Sequence, residues 1–240
     1  MTRTPEQDEL AATVRTLLAK RSDSAAVRAA IESPLGHDAS LWRLLCDQVG
    51  VAALPIAEES GGAGFSLAEA LVAAEEVGYA LTPLPLVSSL VTSAALGAVP
   101  GTGSLLERIA AGEVAAFGSA STTAASPDVL EPLTYEDGRV TGTISYVLDG
   151  DIASLLIVAA QTTDGVALLD VDRADAARTY TPAMDPTLRL ATLVFDGVPA
   201  RVLTTDAAHA AAAAHAAGCL VVATMQVGAA RRGLDMTVAY

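Results

Sequence analysis

Aromatic side chains are scarce in this 240-residue chain, at 4% of positions, although 52% of residues are hydrophobic. A core of that kind is built from Ala, Val and Leu, which suits close-packed helices and small barrels. Cations are scarce too: 14 Lys and Arg stand against 28 Asp and Glu, for a formal charge of −14. Phosphate neutralisation needs clustered cations, so nucleic acid is excluded as a partner. The same balance works against docking on anionic lipid. An anionic small molecule held by backbone amides or a few Arg stays open. There are two cysteines, Cys46 and Cys219. Neither has a partner at zinc spacing, so both read as small core residues in a reducing, cytoplasmic compartment. His37, His209 and His215 show no metal spacing, and no metal is expected. The N-terminus, MTRTPEQDEL, lacks the apolar core of a signal peptide. Asp, Glu, Lys and Arg are all absent between residues 207 and 230. That length spans a bilayer. Its Ala-rich make-up, with His209, His215, Thr224 and Gln226, reads instead as a buried helix of a bundle, with no membrane span.

What is present falls into three zones. Leu10, Val14, Leu17 and Leu18 recur at helical spacing, and a polar helix is expected over Ser24–Glu32. Pro34-Leu35-Gly36 breaks the pattern. Leu41, Leu44, Leu45 and Val49 mark a helix that Gly50 terminates. After Gly61-Gly62-Ala63-Gly64, Ser66 and Glu69 form a capping box, and Leu67, Leu71, Ala74 and Val77 line one face of a helix that Gly78 ends. Pro83 and Pro85 precede an apolar helix reaching Leu96, and a short helix covers 105–111. Near Glu113 the period changes. Val140, Gly142, Ile144, Tyr146 and Leu148 alternate with Thr141, Thr143, Ser145 and Val147, as in a strand. Residues 155–160 read as a buried strand, and Asp164-Gly165 separates it from a partner at 166–171. A further strand spans 190–195, with Asp196-Gly197 turning the chain. After Pro199 the pattern is helical again, capped by Asp206. The expectation is an α+β chain: an all-α domain at 1–112, a β-barrel domain at 113–203, and the first helix of a C-terminal bundle at 204–240.

The string VGVAALPIAEESGGAGFSLAEALVAAEEVGYAL at 49–81 closely resembles the N-terminal domain of acyl-CoA dehydrogenases. In that family a helix end leads into a Pro-x-x-Glu-Glu-x-Gly-Gly-x-Gly loop and a helix ending Glu-Glu-x-Gly. Here those positions are Pro55, Glu58, Glu59, Gly61, Gly62, Gly64, Glu75, Glu76 and Gly78. GRVTGTISYVLDGDIASLLIVAAQT at 138–162 resembles the family's middle β-domain, and LATLVFDGVPARVL at 190–203 the segment leaving it. VGAARRGLDMTVAY at 227–240 resembles the first long helix of its C-terminal domain.

The resemblance implies an FAD-dependent oxidoreductase subunit that dehydrogenates an acyl-CoA thioester of fatty-acid or steroid side-chain catabolism. It implies an electron-transfer flavoprotein-type acceptor and a homo- or hetero-oligomer. It also implies where a flavin would sit. One family stretch, Tyr-x-x-Thr-Glu with Gly-Ser-Asp after it, falls on residues 118–128. It brings in Gly118, Ser119, Ala120 and Ser121 as flavin contacts and places Pro127 on the substrate side. Ser121 takes the Thr position, Thr122 the Glu position and Pro127 the Ser position; Asp128 is identical. The other stretch, aromatic-x-Thr, is Tyr146-Val147-Leu148 here. Tyr146 can stack on an isoalloxazine, whereas Leu148 lacks the family's hydroxyl; an ordinary barrel-face aromatic is the other reading of Tyr146. Arg231 and Arg232 read as a solvated helix face or as contacts to CoA phosphate or a partner subunit, with Arg232 taken as the substrate contact. In most members the catalytic base lies beyond the position that Tyr240 matches; in some it sits where this chain has Gly218. A C-terminally incomplete member is therefore implied. Leu148, Pro127 and the missing base also fit a non-catalytic partner subunit, and a thioester-binding module without redox chemistry is a third reading. Other motifs fail: no Gly-Lys-Ser/Thr follows Gly61–Gly64, Gly101-Thr102-Gly103 lacks its flanking strand, and there is no nucleophile elbow.

Overall fold

A computed structural model describes residues 3–119 and 133–240. Six helices come first: α1 (Pro5–Arg21), α2 (Ser24–Glu32), α3 (Ala39–Val49), α4 (Leu67–Ala80), α5 (Leu86–Gly97) and α6 (Gly103–Ala110), with a 3-10 turn at Glu58–Ser60. Local chemistry sets most of their ends. Thr4 and Gln7 form a capping box for α1, and Ser66 and Glu69 form the expected one for α4. Asp38 caps α3, and Gly50 closes it in the left-handed conformation at φ 72°. Gly78 does not end α4. The helix runs on to Ala80, and Leu81 takes the left-handed position at φ 52°.

The reason for Gly78 lies in the last element, α7 (Ala208–Ala239), a 32-residue helix about 48 Å long at the usual rise. A Cβ on Gly78 would fall 2.2 Å from the Met225 carbonyl oxygen, and one on Gly228 would fall 2.0 Å from that of Glu75. The two backbones touch, and only hydrogen fits between them. Around this crossing the Glu-Glu pair of α4 gathers cations. Glu76, 1% exposed, accepts from Arg15 of α1 (Nη2 to Oε1, 2.7 Å; Nε to Oε2, 2.9 Å) and from Arg231 of α7 (2.9 and 3.0 Å). Arg231 also donates to Glu75 at 2.6 Å, and Arg3 pairs with Glu75. Burial pushes the Glu76 carboxyl up, but Arg15 and Arg231 outweigh it and hold the group below its ordinary value.

Along α7 the buried positions Ala210, Ala214, Ala217, Val221 and Gly228 form one stripe, packed on α4 and α5. The helix is thus not enclosed. Leu220, Val227 and Leu234 lie exposed on another face. By length and composition it is also the one helix among the described residues able to cross a membrane. Cys219 lies on it, exposed, 3.7 Å from His215 Nε2. The core reading therefore holds for Cys46, whose thiol burial pushes up to about 12, and fails for Cys219.

Among the described residues the β layer has seven strands: β1 (Ala115–Ser119), β2 (Thr134–Glu136), β3 (Arg139–Leu148), β4 (Leu155–Thr162), β5 (Gly165–Val171), β6 (Ala177–Thr181) and β7 (Leu190–Thr204). Pairings β4–β5–β7–β3–β2–β4 close on themselves, so the sheet is a small barrel. Along one edge β4 takes β1 and then β2 in parallel; β6 flanks the start of β7. β7 runs through Asp196-Gly197 and Pro199 instead of turning there. Between the pairs Phe195–Gly142 and Val198–Val140, β7 spends one more residue than β3, so Asp196-Gly197 is a bulge, with Gly197 at φ 61°. Val140, Ile144, Leu156, Val158, Leu169, Leu193 and Phe195 fill the barrel. Leu155, Ile157 and Leu168 point the other way, onto Leu96, Leu105, Ile109 and Ala210. Strand β4 is therefore buried on both faces, as its unbroken apolar run requires.

Two outcomes follow from the crossing. Gly228→Leu drives a side chain into the α4 backbone and lowers stability by roughly 3 kcal/mol, read by urea denaturation. Glu76→Gln removes a buried charge from between two cations and costs roughly 3 kcal/mol at pH 7. Because the folded carboxyl titrates below its ordinary 4.5, its stabilisation is full above that value and fades as pH falls through the lower, folded one. The gap between wild type and Glu76→Gln should narrow in unfolding curves taken at progressively more acidic pH.

Candidate functional site

Two segments expected to serve one site, the end of β1 and the end of β3, meet in the structure. A Cβ on Gly118 would lie 3.3 Å from Ile144 Cδ1 and 3.7 Å from Val147 Cγ2, so the β1 end sits against the β3 end. Ser119 follows in register with Ala159 of β4. Ala120, Ser121 and Pro127, with Thr122 and Asp128, lie outside the described residues.

The β3 end departs from simple alternation. Between the pairs Ile144–Leu193 and Val147–Ala191, β3 advances three residues and β7 two, a bulge at Ser145-Tyr146. Tyr146 takes φ 63°, an unusual state for a residue with a bulky ring. The bulge reverses parity. Tyr146 leaves the inward face it would share with Val140 and Ile144 and stands 63% exposed, and Val147 turns inward at 4%. Leu148 is half-buried and packs against the helical core. Tyr146 thus presents an open ring, Val147 offers only its backbone, and Leu148 offers an apolar surface. Arg232 lies elsewhere, on α7, its guanidinium 5.3 Å from the Tyr79 ring centroid, beside Arg231 at 4.7 Å.

A polar cluster behind the bulge was not read from the sequence. Asp149, 7% exposed, accepts a 2.6 Å hydrogen bond at Oδ2 from Ser88 Oγ of α5. Its backbone N–H donates to the Arg189 carbonyl at 2.8 Å. Burial pushes the Asp149 carboxyl up to about 7, with Asp151 adding to the rise and Ser88 and Arg189 opposing it. Arg189 forks onto Asp151, with Nη2 to Oδ2 at 2.6 Å, and lies 4.6 Å over the Tyr180 ring. It also fills the space beside Gly36, where a Cβ would meet its Nη1 at 2.7 Å. The neighbouring His37 is buried and donates from Nδ1 to the Leu35 carbonyl at 3.1 Å. Burial and Arg189 keep its imidazole below the ordinary value. A cavity of about 310 Å³ opens here, lined by His37, Trp42, Arg43, Glu113 and Ile152 among others. The local signal, Asp149-Gly150-Asp151, reads in sequence as a turn; nothing local tells that one Asp is buried on another domain's helix. Among the described residues no group of three or more His, Cys, Asp or Glu is placed to hold a metal ion.

Comparison with known proteins fits this architecture. Residues 4–113 match the family described as acyl-CoA dehydrogenase, N-terminal domain. Two curated relatives, both named acyl-CoA dehydrogenase IpdE2, are 40% identical to the chain. The one from Mycolicibacterium smegmatis aligns over 98% of this chain and 64% of its own length, and the one from Mycobacterium tuberculosis over 100% and 65%. The chain therefore spans just under two thirds of the curated relatives it matches. A solved steroid ACAD, Tcur3481-Tcur3483, superposes with a TM-score of 0.84 at 25% identity, covering 98% of this chain and 66% of that one. The family match covers the helical domain as a unit, and the 40% identity to the two relatives runs on through the barrel and α7, so the chain is similar to acyl-CoA dehydrogenases along its whole length.

Proposed function

We propose that this chain is a subunit of an FAD-dependent acyl-CoA dehydrogenase-type oxidoreductase that forms the α,β double bond of an acyl-CoA thioester. Fatty-acyl and steroid side-chain thioesters are the substrate classes we assign. The observation that carries this reading is the meeting of the β1 end, at Gly118, with the β3 end, whose bulge turns the Tyr146 ring outward. The residues present suit a flavin: Tyr146 is an exposed planar ring, the neighbouring backbone is tightly packed, and Leu148 keeps the adjoining surface apolar. FAD, when bound, would supply the acceptor for the β-hydride. Tyr146 would stack on the ring system, Ser119, the backbone of 120–121 and the backbone of Val147 would bind its polar edge, and Leu148 would exclude water from it.

No carboxylate stands at position 218: a Cβ on Gly218 would lie 3.4 Å from Val91 Cγ2 of α5. We therefore assign the proton-accepting base to a segment outside this chain. Pro127 and Arg232 are assigned to the substrate side, with Arg232 free to leave Tyr79 for a CoA phosphate. We divide the chain at 112/113 and 203/204, and place it in the cytoplasm, in keeping with the free thiols of Cys46 and Cys219. The exposed Leu220, Val227 and Leu234 on α7 favour an oligomer, and an electron-transfer flavoprotein-type protein is the assigned acceptor. Leu148, where the family bears a hydroxyl, favours a second reading, a non-catalytic partner in a heteromeric dehydrogenase.

The visible spectrum of the purified protein separates these readings, taken alone and after co-expression with a neighbouring homologue. Flavin bands in the protein alone support a self-sufficient subunit, and bands only in the complex support the partner reading. Absence of flavin in both preparations overturns the proposal. Tyr146→Ala should weaken FAD binding roughly three- to tenfold, as expected for one lost stacking contact, measured by flavin fluorescence titration.

A further inference from the structure

Tyr146 and Asp149 both occupy the left-handed region, at φ 63° and 53°. Neither residue is glycine, so the surrounding structure must enforce both. Between them lie Val147, sealed in the barrel, and Leu148, packed on the helical core. The segment is thus a four-residue arch with Tyr146 at its outer foot and Asp149 at the other.

Asp149 is tied down on every side. Its N–H donates to Arg189, its carbonyl accepts from Ile152 and Ala153, and its carboxyl accepts from Ser88 of α5. The next residue, Gly150, closes back on the arch, where a Cβ would lie 3.0 Å from Val147 Cγ1. The backbone bonds form a turn within the β-domain. The Ser88 bond is different in kind, because it joins the arch to a helix of the other domain. The groups facing the carboxyl are Ser88 from α5, and Asp151 and Arg189 from the β-domain, with His37 of the α2–α3 loop on the far side of Arg189.

We propose that Asp149 is a positioning residue: its carboxyl, bonded to Ser88, locks the β3 bulge onto α5 and so holds the Tyr146 ring outward as a platform for a flat cofactor. The cofactor's identity rests on the function proposed above; the lock itself does not. Asn serves in its place, because its side-chain oxygen still accepts from Ser88 and Asn tolerates the left-handed backbone. Ala does neither. Removing the carboxyl does not orphan Ser88, which also donates to the Pro85 carbonyl at 3.2 Å.

The test compares wild type, Asp149→Ala, Asp149→Asn and Ser88→Ala by FAD titration and by hydrogen exchange of the amides at 145–149. Asp149→Ala and Ser88→Ala should weaken FAD binding roughly tenfold and speed exchange across the arch, with Asp149→Asn rescuing both. The wild-type carboxyl titrates near 7 in the folded protein, against 3.8 ordinarily. A raised carboxylate value binds an extra proton in the folded state between those limits, so stability contributed there declines as pH rises through 7. FAD affinity of wild type should change across that range, whereas Asp149→Asn stays flat; a purely structural role would not make affinity follow this titration. Folded Asp149→Ala with unaltered affinity and unaltered exchange overturns the proposal. Should Asp149→Ala not fold, Ser88→Ala decides by the same two readouts. If wild type binds no FAD either alone or in the co-expressed complex, the functional reading fails, and exchange at 145–149 alone decides the lock.

Discussion

The crossing of α4 and α7 is the constraint on which the arrangement of helices rests. Two glycines, Gly78 and Gly228, let the backbones touch, and Glu76 sits beside the contact with no solvent of its own. A carboxylate in that position is tolerable only when cations surround it. Arg15 comes from α1 and Arg231 from α7, so one buried charge ties three helices together. The steric and electrostatic parts support each other: close approach brings Arg231 within reach of Glu76, and the ion pairs hold the helices at the distance that glycine permits.

The barrel is organised by a different element. β7 carries β3 along one edge and β6 then β5 along the other, so its fifteen residues fix the register of three strands. Two bulges at the β3–β7 interface, one in each strand, absorb the mismatch that barrel curvature imposes. The bulge in β3 has the greater functional weight, because it exchanges the directions of Tyr146 and Val147. The buried Asp149, braced by Ser88 and Arg189, stands directly after it, at the seam between the helical and β-domains.

Much of the local architecture was legible because its causes are local. Gly50 ends α3 and the Ser66–Glu69 box starts α4 through contacts within one turn, and the unbroken apolar run of β4 announces burial on both faces. β2 and β6 were missed because they are short, polar and exposed, and owe their state to neighbours rather than to a pattern. The direction of Tyr146 is not legible from alternation, which assumes a regular ladder. A bulge changes that parity, and it is a property of two paired strands, which no single strand's sequence displays.

The sequence by itself determined the order of helices, barrel and long helix, the caps, and the Glu75-Glu76-x-Gly78 pattern that marks the family. Only the tertiary structure decided what those residues do. Gly78 looked like a helix terminator and proved to be a point of backbone contact, because its steric demand comes from Met225, on a helix remote in the chain. Cys219 looked like a core residue and proved exposed, because one long apolar helix has several faces and packing selects among them. Asp149 looked like a turn residue and proved to be a buried acid, because the atoms that bury it belong to α5 and to the segment before β7. Spacing along a chain reports what each element can do alone; which of its faces meets another element is settled when the elements pack.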